Sequence, residues 1–152
     1  MAKKTVKKAV KKTVTATVKK AVKKVAKKTV KRVPKKIEYS PRDFAIKAAR
    51  IAEELHCTDI VVLDLAGRSP ATDFFVIATG TSDRQMRTVA DDVSEAGRLM
   101  DYNRFGRAGY EQGRWILLDF VNVVLHLFDQ EYRSYYDLEL LWGDAKRVDW
   151  KK

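Results

Sequence analysis

Apolar positions along the chain follow two regimes that meet near residue 36. Beyond it they recur at helical spacing or gather in runs of strand length; before it one or two Val or Ala residues at a time alternate with lysine pairs. Phe44, Ala48, Ile51, Ala52 and Leu55 return every three or four residues, which predicts an amphipathic helix. Ser40-Pro41-Arg42-Asp43 opens it: Ser40 can cap, Pro41 suits the first helical position, and Asp43 favours the positive end of the helix dipole. His56-Cys57-Thr58 ends it. Asp59–Leu65 is a β-branched apolar run of strand length, Gly67-Arg68-Ser69-Pro70 turns the chain, and Phe74–Thr79 reads as a second strand. Both runs are nearly continuously apolar, as expected of central strands covered on two faces.

Ser82-Asp83-Arg84-Gln85 has capping-box spacing, and Met86, Val89, Ala90, Val93, Gly97 and Met100 mark the buried stripe of a second helix. Residues 102–108 read as a weak edge strand before a Gly109–Gly113 loop. Trp115–Phe120 and Val123–Phe128 are two strands with almost no connection, hence a hairpin turning at Val121-Asn122. Tyr132–Trp142 reads as an aromatic-rich helix stopped by Gly143. The order α-β-β-α-β-β-β-α indicates an α+β fold: a mixed β-sheet of about five strands flanked by helices.

Charge divides the chain at the same place. Residues 1–36 hold 15 Lys and one Arg with no acid, whereas residues 37–152 hold 15 basic and 20 acidic side chains, a net of −5. Trp, Tyr, Phe, Leu and Asp all first appear in the second part. The first part therefore cannot bury enough apolar surface to offset its ordering entropy, and it reads as a disordered Lys-rich tail attached to one domain, 37–152. Residues 3–34 parse into tetrads such as KKTV and KKAV. A helix advances about 100° per residue, so a period of four spirals around the axis and leaves no fixed apolar stripe. Lys3, Lys4, Lys7, Lys8, Lys11, Lys12, Lys19, Lys20, Lys23, Lys24, Lys27 and Lys28 read as a polyanion-binding arm, the alternative being a solvated tail that keeps the protein soluble or neutralises the acidic domain in cis. With no aromatic for stacking and no Arg fork among these tetrads until Arg32, the arm should contact phosphate without reading sequence.

Other classes are disfavoured. A lone cysteine, Cys57, allows no intrachain disulfide and no Cys-based zinc site, a usage that suits a reducing, cytoplasmic setting. No run approaches the roughly 18 apolar residues of a membrane span, and the basic start lacks the apolar core of a secretory signal. No P-loop or Gly-x-Gly-x-x-Gly motif points to a nucleotide cofactor, and no cofactor is expected.

Three groups could carry chemistry. His126 shares a strand face with Val124 and Phe128 and has no nearby His or Cys partner, so a hydrogen-bonded structural role is expected. Asp64, Asp73 and Asp119 stand at strand ends and would form a metal site if they converged, with Gly80-Thr81-Ser82 as a phosphate cradle. The closely paired acids that nucleotidyl transfer requires are absent, and turn or cap roles account for each aspartate. Trp115, at the start of a strand after Gly113-Arg114, is placed where a large aromatic can stay partly exposed for a partner, although the residues alone slightly favour a core tryptophan.

Several ordered blocks give the domain a resemblance. Asp64-Leu65, Thr72-Asp73-Phe74-Phe75-Val76-Ile77-Ala78-Thr79-Gly80-Thr81-Ser82, Arg84-Gln85, Trp115–Phe120, Val123–Phe128 and Arg133-x-x-Tyr136-x-Leu138-Glu139-x-Leu141-Trp142 stand at the spacings of the ribosomal silencing factors, the RsfS or Iojap family. The resemblance covers about residues 42–144 and omits the tail. It implies a nucleotidyltransferase-like α+β fold without the catalytic acids, hence no enzyme. It implies a translational repressor that binds large ribosomal subunit protein fourteen and blocks joining with the small subunit when nutrients are scarce. It also implies a homodimer off the ribosome. Trp115 falls on the family's conserved tryptophan, with Phe128 and Tyr136 near the same expected surface. Two positions depart from the family pattern: Val121-Asn122 replaces Gly-Asp in the hairpin turn, and Ala108-Gly109 replaces Glu-Gly. Asn122 tolerates positive φ, so the turn can survive, whereas Val121 is expected to be unable to replace glycine in that role.

The alternatives are a nucleotidyltransferase-like enzyme, whose metal-dependent turnover would be lost on replacing Asp64 or Asp73, and a DNA-compacting protein driven by the tail. The leading expectation joins the two halves: an acidic domain suits a basic ribosomal protein and a +16 arm suits ribosomal RNA.

Overall fold

The computed structural model describes residues 37–152, so the lysine repeat and the disorder expected of it lie outside the described residues. Helix α1 (Pro41–Glu54) starts on the anticipated Ser40 cap, which Asp43 completes into a capping box. The Ser40 hydroxyl accepts from the Asp43 amide at 3.2 Å, and the Asp43 carboxylate accepts from the Ser40 amide at 2.9 Å. These bonds from Ser40 hold the Asp43 carboxyl below its usual range. Helix α2 (Asp83–Leu99) is capped by Ser82, whose hydroxyl accepts from the Gln85 amide at 3.1 Å. The Gln85 side chain takes a different route from a capping box. Its Oε1 accepts from the Thr81 amide at 2.7 Å, while Nε2 donates to the Leu55 carbonyl at 2.6 Å. One side chain thus satisfies the entry to α2 and ties it to the end of α1.

Strands β1 (Thr58–Asp64), β2 (Phe74–Thr79), β3 (Gly106–Ala108), β4 (Trp115–Asp119), β5 (Val123–Phe128) and β6 (Lys146–Arg147) form one sheet in the order β3-β4-β5-β2-β1-β6. Neighbours are antiparallel except β2 and β5, which run parallel at its centre with Phe74 opposite Val123 and Ile77 opposite His126. The fold is α+β, with six strands where the sequence suggested about five. The extra strand is a two-residue basic edge beside Leu63 and Asp64, too short to show an apolar alternation. The weak edge strand expected over 102–108 pairs only at 106–108.

The expected last helix is two helices, α3 (Gln130–Tyr136) and α4 (Leu138–Leu141). Asp137 separates them in the left-handed region, φ 41°, and its carboxylate accepts from the Leu140 amide at 3.3 Å. A short acidic side chain that bonds nearby amides favours such a cap over a helix interior, which is why the aromatic spacing alone overran it.

Side-chain alternation gives the sheet two unlike faces. Val62, Val76, Ala78, Ile116, Leu118, Leu125 and Leu127 point to α1 and α2 and meet Phe44, Met86, Val89 and Val93 in the main core. On the opposite face Leu63, Leu65, Ile77 and Phe128 are buried under a smaller cover that includes Tyr132, Leu138 and Trp142. Burying one large aliphatic or aromatic side chain is worth roughly 1.5–3 kcal/mol, so the helix-covered face dominates stability. The thinly covered face is the one left for other work.

Candidate partner-binding site

Trp115 begins β4 on the thinly covered face, paired across the ladder with Phe128. The loop before it is set by Gly109, φ +71°, where a Cβ would stand 1.8 Å from the Trp115 carbonyl oxygen. No other residue allows the chain to pass so close to the strand start. The indole stacks on Phe128 with centroids 5.0 Å apart at 24°, and Tyr136 of α3 lies against it at 4.6 Å. Tyr135 stands edge-on to Tyr136 at 5.0 Å. Trp115 is half-buried, Tyr136 is 43% exposed and Tyr135 is 80% exposed, while Leu140 and Leu141 in α4 are 78% and 71% exposed. Exposed or half-exposed apolar side chains thus stand at the start of β4 and on α3 and α4, and the tryptophan and tyrosines among them are residue types enriched in binding hot spots.

Two of the three expected contact residues, Trp115 and Tyr136, reach this surface together. Phe128 does not: it is fully buried, because its place opposite Trp115 puts the tryptophan over it. Its part is to support the indole from below. Sequence reasoning missed Tyr135, Leu140 and Leu141, because a single continuous helix over 132–142 did not show which of its apolar residues stay uncovered.

Charged groups fix the helices beside the patch. Arg114 donates to Asp129 at 2.8 Å and to Glu131, and its guanidinium sits 4.3 Å from the Tyr132 ring centroid. Arg133 is 8% exposed and donates to Thr79 Oγ1 at 3.0 Å, to the Asp59 carbonyl at 2.8 Å and to Glu139. It therefore joins β2, the start of β1, and both short helices.

His126 is buried between Phe75, 4.6 Å away in an edge arrangement, and the Trp115 and Phe128 rings. The Trp115 indole N–H donates to His126 Nδ1 at 3.2 Å. Burial pushes the imidazole down to about 4, so it is neutral at pH 7 and Nε2 carries the proton. The structural role expected of His126 holds, with the tryptophan as its partner.

Two of the three strand-end aspartates hold local turn amides, and the third ties the start of β2 to the hairpin turn. Asp64 accepts from the Ala66 amide at 3.0 Å, Asp119 from the Val121 amide at 2.7 Å, and Asp73 from the Asn122 side chain at 2.7 Å. Among the described residues, no group of three or more His, Cys, Asp or Glu could hold a metal ion. Gly80 is needed for packing, since a Cβ there would lie 2.2 Å from Met86 Cγ, and the amides beside it already have partners in Phe128 and Gln85. The expected arm lysines, Lys3 to Lys28, lie outside the described residues. No helix among the described residues is long and apolar enough to cross a membrane.

The hairpin departure is resolved in an unexpected direction. Val121, not Asn122, takes the positive φ, +71°, and the Asp119 carboxylate holds its amide. A β-branched residue accepts the conformation that glycine would supply, at a cost in strain.

Comparison with known proteins agrees with this architecture. Residues 38–152 match the family model described as "Ribosomal silencing factor during starvation". The ribosomal silencing factor RsfS of Bacillus subtilis is 36% identical over 102 residues, covering 67% of this chain and 86% of that protein. The chloroplastic protein Iojap of Zea mays is 31% identical over 106 residues, 70% of this chain and 46% of that longer protein. A crystal structure of a Chromobacterium violaceum protein superposes with a TM-score of 0.66 at 30% identity, covering 69% of this chain and 88% of the other. One from Bacillus halodurans gives 0.59 at 31% identity, covering 71% and 95%. The six-stranded sheet, its half-covered aromatic face and these matches together place the chain in the RsfS family of ribosomal silencing factors.

Proposed function

We propose that this protein silences ribosomes by steric occlusion. A ribosome-associated silencing role comes with membership of the family. The finer reading is that the Trp115–Tyr136 surface docks on large ribosomal subunit protein fourteen, and that the bulk of the domain then keeps the small subunit away. No covalent bond is made or broken, a reading supported by strand-end aspartates that each accept a hydrogen bond within the domain. The observation that carries it is the exposed Tyr135–Tyr136 pair packed against the half-buried Trp115, with Leu140 and Leu141 exposed on the next helix. The domain's net charge of −5 suits a basic protein partner, and the +16 segment before it suits neighbouring ribosomal RNA. A tethered polycation raises the local concentration of a modest protein contact without adding specificity.

Sedimentation of purified subunits tests this directly. The protein should co-migrate with the large subunit and deplete joined particles, and Trp115→Glu should lose both effects while keeping its circular dichroism spectrum. Full joining in saturating protein, or undiminished binding by the folded variant, would overturn the reading.

A further inference from the structure

One buried feature is unfavourable for stability and is not explained by packing. His126 is 4% exposed, and its Nε2 has no hydrogen-bond partner among the described residues. Nδ1 accepts from the Trp115 indole, so Nε2 bears the proton and is an unsatisfied buried donor. Phe75 and Phe128 flank the ring at centroid distances of 4.6 and 6.1 Å, and a fully apolar side chain would suit that setting better. A polar group kept in such a place at a thermodynamic cost points to a task for its one satisfied atom.

We infer that His126 is the positioning residue of the docking surface: through Nδ1 it fixes the orientation of Trp115 before any partner arrives. This rests on the proposed docking role of Trp115. The indole is held at three places. Phe128 stacks beneath it, Tyr136 lies against it, and His126 takes its only polar hydrogen. Stacking limits tilt but leaves the ring free to slide and turn in its plane; the hydrogen bond removes that freedom because it specifies where the N–H must point. An anchor already in its bound orientation loses less entropy on docking. The anchor is mounted on a strand, and its support comes from the neighbouring strand in register, Leu117 opposite His126 and Trp115 opposite Phe128.

Two variants separate orientation from stability. His126→Phe removes the acceptor and the unsatisfied donor together, and it should keep or raise the melting temperature. It should weaken binding to purified large ribosomal subunits about tenfold, or about 1.4 kcal/mol. His126→Asn is smaller and should melt lower, yet its side-chain oxygen can stand near the Nδ1 position and should restore most of the affinity. The Trp115 indole N–H, followed by nitrogen-15 spectroscopy in the full chain, should exchange with solvent at least tenfold faster in His126→Phe and return toward the parent rate in His126→Asn. A reversed ranking of the two variants in affinity, or an indole proton as protected in His126→Phe as in the parent, overturns the inference. Trp115→Ala distinguishes the two levels. If it binds normally, the docking reading fails and the positioning role fails with it. If it loses binding while His126→Phe retains full affinity, the docking reading stands and only the positioning role is overturned.

Discussion

Arg133 reaches from the middle of α3 to the last residue of a central strand, donating to Thr79 Oγ1 at 3.0 Å while also holding Glu139 in α4. The same guanidinium donates to the Asp59 carbonyl. Helices of seven and four residues are too short to stand without tertiary support. This side chain therefore decides where Tyr136, Leu140 and Leu141 are presented.

Replacing Arg133 with Met should destabilise the protein by about 2–3 kcal/mol, because it leaves Glu139 and Thr79 without their shared donor in a part-buried site. Urea unfolding measures the loss. The double variant Arg133→Met with Glu139→Leu should recover part of it, since the orphaned carboxylate is then gone. An additive result for the pair would show that the two residues act independently.

Val121 offers a gain of opposite sign. A β-branched residue at φ +71° carries roughly 1–2 kcal/mol of strain, and glycine returns about 0.5–1 kcal/mol of that through its greater unfolded freedom. Val121→Gly should therefore stabilise by about 1 kcal/mol and raise the melting temperature by about 4 °C. Val121 is 54% exposed, so little burial is lost. A lower melting temperature would mean that the hairpin depends on the valine side chain.

His126 makes stability depend on acid. Its folded value lies near 4, below the ordinary 6.5, because burial disfavours the charged ring. Above pH 6.5 neither state binds the proton and the effect is nil. Between 6.5 and 4 the unfolded chain is protonated while the folded one is not, so stability falls as pH falls; below 4 both are charged and the loss levels off at about 3 kcal/mol. Urea midpoints at pH 7 and pH 4.5 should differ less in His126→Asn than in the parent. Equal pH dependence in the two proteins would remove His126 as the source.

The lysine segment should reveal itself through salt. If roughly eight lysines meet single-stranded phosphates, log K falls with log[salt] at a slope steeper by about 6 than in a chain lacking residues 1–36. Affinity of the full chain and the truncated one for large subunits, measured from 50 to 300 mM salt, tests this. An unchanged slope would exclude the segment from binding.

Local periodicity and capping chemistry were enough for the two-part charge division, the helices α1 and α2 with their serine caps, and the four main strands. Trp115 stayed open between core and surface on its strand-start placement, and only the family resemblance favoured a partner contact. Tertiary structure alone decided the rest. Phe128 looked like a neighbour on the surface, yet cross-strand pairing puts it beneath Trp115. Val121 took the strained turn position because the strands on either side fix the hairpin register. The patch on α3 and α4 depends on Arg133 contacting Thr79 and Asp59, residues 54 and 74 positions away, and the meaning of His126 depends on a ring eleven positions back. Helical and strand periods are written in neighbouring residues; which side chain covers which is settled only when distant segments meet.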